Sequence, residues 1–217
     1  MASLKSSVIG IPSGKMGGVI VRIRNGKPFY YSLPLNFKMS MSAAAVEGRN
    51  NFASAQSLAK IVNASPELRE IWTNAKVPGT NSYQRLIKNN RKLAGGGSLT
   101  TSNMITPPGL PLKINSALVE NKKLILSFDC PAVPDLSFPA VLFTYIYFGG
   151  NSRTIIPFKR EIAEPAPDGR YYIETSLDSN TKRLLSNNPS PIIYLALAGG
   201  TANKKKVYWT TTASAKL

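Results

Sequence analysis

The chain has 217 residues, with 27 Lys plus Arg against 11 Asp plus Glu, a formal charge of +16 and a pI near 10.1. It contains no histidine and a single cysteine, Cys130. Ser-His, Cys-His and His-metal chemistry are thereby excluded and no internal disulfide can form, while the 43% apolar fraction is enough for one large β domain or two small cores.

The charge is uneven. Residues 1–93 carry 14 basic and 3 acidic residues, net +11, whereas 94–217 carry 13 and 8, net +5. Such a surface attracts polyanions by Coulomb focusing and counterion release, so nucleic acid, an anionic membrane face or an acidic protein are the natural partner classes. Paired carboxylates remain the one catalytic route, with Glu161 and Glu174 as the pair. Acids beside turns and strand ends are ordinarily solvated surface charge, so the expectation is a protein that is not an enzyme, with no cofactor, metal or small-molecule substrate.

In chain order, residues 1–17 show no period and read as an extended arm. Lys5, Ser6, Ser7 and Pro12 interrupt any apolar stretch there, so no cleaved signal is expected and synthesis is expected in the cytoplasm. No stretch of the chain has the apolar length of a membrane span. Val19–Arg24, Asn25-Gly26 and Lys27–Tyr31 predict a β-hairpin, with Pro28 placing its strand at an edge. Val19, Val21 and Ile23 share one face of it; Ile20, Arg22 and Arg24 share the other.

From Ser40 to about Ala64, Ala45, Phe52, Ala55, Ala59 and Val62 form a helical apolar stripe, opposite Glu47, Asn50, Ser54 and Ser57. Ser65-Pro66-Glu67 starts a second helix burying Leu68, Ile71 and Trp72. A third helix over 81–93 turns Tyr83, Leu86 and Ile87 inward and Arg85, Lys88, Arg91 and Lys92 outward. The glycine-rich stretch from Ala94, closed by Pro107-Pro108-Gly109, reads as a flexible linker; without a following Lys-Ser or Lys-Thr it does not read as a phosphate loop.

After Leu110 seven strands are expected: 113–119, 122–128, 140–148, 153–159, 170–176, 191–198 and 206–212. Residues 140–148 are apolar on both faces and so central, and Pro157 marks an edge or bulge. Leu184 and Leu185 lie in a short helical turn crossing between sheets. The fold class is therefore an α+β N-terminal module, a β-hairpin plus three short helices, followed by an all-β sandwich. Its domains are an arm at 1–17, a basic hairpin-helix domain at 18–93, a linker at 94–109 and an immunoglobulin-like sandwich at 110–217.

Two basic groups are candidate polyanion contacts: Arg22, Arg24 and Lys27 on the hairpin, and Arg85, Lys88, Arg91 and Lys92 on the third helix. Phe29, Tyr30 and Tyr31 beside the first group are candidate aromatic contacts; they either stack on bases or pack on the helices. Lys204-Lys205-Lys206 reads as solvated charge at a hairpin tip.

Gly14-Lys15-Met16-Gly17, the Val19–Tyr31 hairpin, Arg49-Asn50-Asn51-Phe52-Ala53 and Tyr83-Gln84-Arg85 resemble a family of small basic proteins of Bacteroidota and their phages. The resemblance covers 14–93 and implies a bacterial or phage setting and no activity. The C-terminal part is similar to immunoglobulin-like or fibronectin-like sandwiches in strand count. Together these readings point to a structural or assembly protein, a virion component whose partners are copies of itself or other particle subunits. The alternative is an intracellular nucleic-acid-binding protein contacting phosphates through the hairpin and third helix.

Overall fold

The computed structural model describes residues 14–32, 38–129, 140–149, 153–162, 170–188, 190–200 and 207–217. Most of the expected arm, Cys130 and the Lys204–Lys206 run lie outside these residues. The chain forms two compact units, Met1–Met41 and Ser42–Leu217.

In the first unit, β1 (Gly14–Met16), β2 (Val19–Arg24) and β3 (Lys27–Ser32) make an antiparallel sheet in the order β1-β2-β3. Asn25 (φ 50) and Gly26 (φ 74) supply the two left-handed residues that a tight two-residue turn demands, as expected. Pro28 lies in edge strand β3, also as expected. The third strand comes from residues read as arm; Lys15 and Met16, two residues between glycines, are too short a run to show alternation.

The second unit begins with α1 (Ala43–Ala64), capped by Ser42, whose hydroxyl accepts from the Ala45 amide. Next come α2 (Pro66–Asn74) and α3 (Ser82–Asn90), the latter capped by Asn81. Strands β4 (Lys113–Glu120), β5 (Lys123–Asp129), β6 (Ala140–Phe148), β7 (Thr154–Ile162), β8 (Arg170–Ser176), β9 (Ile192–Gly200), β10 (Val207–Trp209) and β11 (Ala213–Lys216) follow. Helix α4 (Ser179–Asn187) joins β8 to β9 and so crosses between sheets. One sheet has the order β10-β9-β6-β7, with β11 also pairing β9; the other is β4-β5-β8. Of the expected strand at 206–212, residues 207–209 form β10, and a further strand, β11, follows at Ala213–Lys216.

The fold is mixed and largely β, but the three helices belong with the sheets rather than with the hairpin. Period-two alternation explains the layering. Phe143, Tyr145 and Tyr147 of β6, with Tyr194 and Ala196 of β9, share a core with Leu58, Leu68, Ile71, Trp72 and Leu86 of the helices. Leu142, Ile146 and Phe148, with Ile193, Leu195 and Leu197, pack instead with Leu124, Leu126 and Phe128 of β5 and with Ile173 of β8. Strands apolar on both faces thus form the middle layer between helices and the small sheet. Each such side chain, fully buried, contributes about 1.5–3 kcal/mol.

Residues 94–109, expected to be a flexible linker, are fastened along their length. Gly95 and Ser98 exchange two backbone hydrogen bonds around Gly96 (φ 57) and Gly97 (φ 81). The Gly97 amide donates to Asn51 Oδ1 at 2.8 Å, the Gly96 amide to Glu47 Oε1 at 3.3 Å, and Ser54 Oγ donates to the Gly97 carbonyl at 2.5 Å. Leu99 and Ile105 are buried in the helix-side core. The amides of Ile105 and Thr106 both donate to Thr212 Oγ1, at 2.8 and 2.9 Å. The segment therefore straps α1 to the end of β10, within the unit Ser42–Leu217. On α1, Ala55, Ala59 and Val62 of the expected stripe are buried, but Phe52 is exposed and Ser54, expected on the polar side, is buried, its hydroxyl donating to the glycine turn.

Candidate polyanion-binding site

The register of β1–β3 sorts the basic and aromatic residues by face. Direct antiparallel partners lie on the same side of a sheet, and pairs run Lys15↔Ile20, Ile20↔Tyr31, Arg22↔Phe29 and Arg24↔Lys27. One face therefore carries Lys15, Ile20, Arg22, Arg24, Lys27, Phe29 and Tyr31. The other carries Val19, Val21, Ile23, Pro28 and Tyr30. Val21, 2% exposed, is the buried hydrophobe of the described residues in this unit.

Of the three expected aromatic contacts, Tyr30 is thus separated from Phe29 and Tyr31. Lys15 joins the face although only the hairpin cations stand out in sequence; its flanking Gly14 and Gly17-Gly18 were the one signal of a third strand. Lys15, Arg22, Arg24 and Lys27 are all exposed, Phe29 is half-buried and Tyr31 is exposed. No acidic residue precedes Glu47, so residues 1–41 carry six cations and no anion. Within this unit the face has no carboxylate of its own to offset its charge.

The third-helix group divides differently. The Arg85 guanidinium donates to the Gly79 carbonyl at 3.1 Å, the Trp72 carbonyl at 2.9 Å and the Thr73 carbonyl. It turns back to satisfy carbonyls at the end of α2, where a cation also meets the negative end of the helix dipole. Arg85 therefore leaves the proposed contact group as a structural residue. Gly79 (φ 147) permits this approach, since a Cβ there would stand 2.5 Å from Arg85 Cγ. Lys88, Arg91 and Lys92 are exposed around the last turn of α3, where they favour the helix C-terminus. They lie in the second unit, and the sheet cations in the first.

A groove of about 460 Å³ opens between the α1–α2 junction and β6–β7, walled by Ile61, Phe143, Pro157 and Phe158, with Lys60, Glu67 and Lys159 at its edge. Burial pushes the Glu67 carboxyl up, but hydrogen bonds from Lys159, its own backbone amide and Ser65 outweigh that and leave it below its ordinary value. Burial, then the Glu67 charge, raises the Tyr145 phenol. Glu174, one of the two carboxylates considered for catalysis, is ion-paired with Lys123 at 2.7 Å, and Glu161 is exposed.

Among the described residues no helix is long and apolar enough to cross a membrane. No protein-family model matches the chain, and no curated protein matches it.

Proposed function

We propose that this is a non-enzymatic assembly protein, a particle subunit of phage or phage-like type, whose N-terminal sheet docks a layered body onto a polyanionic scaffold. The observation that carries the reading is the single face holding Lys15, Arg22, Arg24 and Lys27 in a unit with no acidic residue. The body supplies lateral contacts: Leu118, Ile125 and Tyr172 share the outer face of the small sheet, with Leu118 51% and Tyr172 65% exposed. Apolar and aromatic groups on a flat sheet face suit repeated subunit contacts.

The test combines light scattering with heparin chromatography on the full chain. A defined oligomer or larger particle is expected, together with heparin retention that R22E/R24E/K27E abolishes. A strict monomer at high concentration contradicts the assembly half of the reading. Retention unchanged by the triple substitution contradicts the docking half.

A further inference from the structure

Resting on the reading of the N-terminal sheet as a polyanion dock, we infer that its ligand is single-stranded nucleic acid, held by base stacking on Phe29 and Tyr31. Both project from β3 on the same face, two residues apart, a separation of about 7 Å along an extended strand. That spacing lets two successive unstacked bases each lie on one ring. Arg22 lies directly opposite Phe29, and Ile20 opposite Tyr31 with Lys15 beyond it, so each ring has a cross-strand neighbour. Arg24 and Lys27 continue the row of positive charge to the Asn25-Gly26 turn.

A row of four cations alone would suit any polyanion. The aromatics are what separate the candidates. A duplex keeps its base faces stacked inside and offers phosphates, sugars and groove edges, and a sulfated polysaccharide has no π-face, so neither has an open ring face to lay on Phe29 or Tyr31. A single strand gains from both sets. Tyr31, 41% exposed, presents its ring to solvent rather than to the core of its unit. A half-buried Phe29 beside Arg22 has a restricted orientation, which lowers the ordering cost of stacking.

Fluorescence anisotropy with labelled oligo(dT), a random duplex of matched length and heparin, on the full chain, tests this. Oligo(dT) should bind at least about tenfold tighter than the duplex, because each stacked base is worth on the order of a tenfold gain or more. The F29A/Y31A variant should lose that preference while keeping duplex and heparin binding; F29W/Y31W should restore it, which a folding defect would not. The log–log salt slope for oligo(dT) should be about −2.8 for four phosphate contacts on a single strand. If duplex and heparin bind as tightly as oligo(dT) and F29A/Y31A changes nothing, the stacking inference fails while the dock stands. If none of the three binds, the dock itself fails.

Discussion

The indole Nε1 of Trp72 donates a 2.8 Å hydrogen bond to the carbonyl oxygen of Ile105, and both residues are fully buried. A helix residue and a residue of the glycine-rich crossing segment are thereby locked together in the core beneath β6 and β9. W72F leaves the Ile105 carbonyl without its partner and opens a small void, so it should lower unfolding free energy by about 2 kcal/mol or more. Urea denaturation measures this. A loss under about 0.5 kcal/mol would mean that residues 94–109 are not integral to the body.

Arg85 serves α2 rather than a ligand. R85M should therefore cost about 1–2 kcal/mol of stability through the lost carbonyl partners, with heparin elution nearly unchanged. Unaltered stability with a large drop in heparin retention would reverse this assignment.

Gly97 and Gly96 are adjacent in one turn but face different surroundings. A Cβ on Gly97 would stand 2.8 Å from Asn50 Cβ, while one on Gly96 meets nothing within 4 Å. Both have positive φ, so G96A should cost about 1 kcal/mol in backbone strain alone, and G97A distinctly more. Equal losses in thermal unfolding would show that α1 and the turn do not touch.

Glu67 titrates below its unfolded value, so its contribution to stability is complete above the ordinary carboxylate range and is lost as pH falls through the lower folded pKa. Asp178 acts in the same direction, its carboxylate held down by hydrogen bonds from Thr181 at the start of α4. Stability should fall on acidification below about pH 4.5, and K159A should flatten that dependence because Lys159 gives Glu67 its largest stabilising contact. A K159A profile parallel to the wild type would remove the pair from the account.

Local signals with one physical meaning were legible in the sequence. Asn25-Gly26 fits little besides a two-residue turn, Ser65-Pro66 started α2 as expected, and the inward set Leu68, Ile71 and Trp72 followed from helical spacing. Residues 94–109 misled because glycine serves a floppy joint and a tight left-handed turn equally well. What decides between them is Asn51, Glu47 and Ser54 on α1, more than forty residues away, and polar residues on an amphipathic helix ordinarily read as solvent-facing. Arg85 misled for the same reason: its position on α3 reads as outward until the end of α2 is placed beside it. In the candidate site the cations were legible by type, but the grouping of Lys15 with Arg22 and the separation of Tyr30 from Tyr31 required the strand register.

The most direct test of docking through the N-terminal sheet is the salt dependence of oligonucleotide affinity in three full-length proteins: wild type, R22A/R24A/K27A and K88A/R91A/K92A. Removing the three sheet cations should reduce the log–log slope by about 2, at about −0.7 per contact on a single strand, and removing the α3 cations should leave it unchanged. A slope that survives R22A/R24A/K27A and collapses in K88A/R91A/K92A would place the contact on α3 and contradict the account.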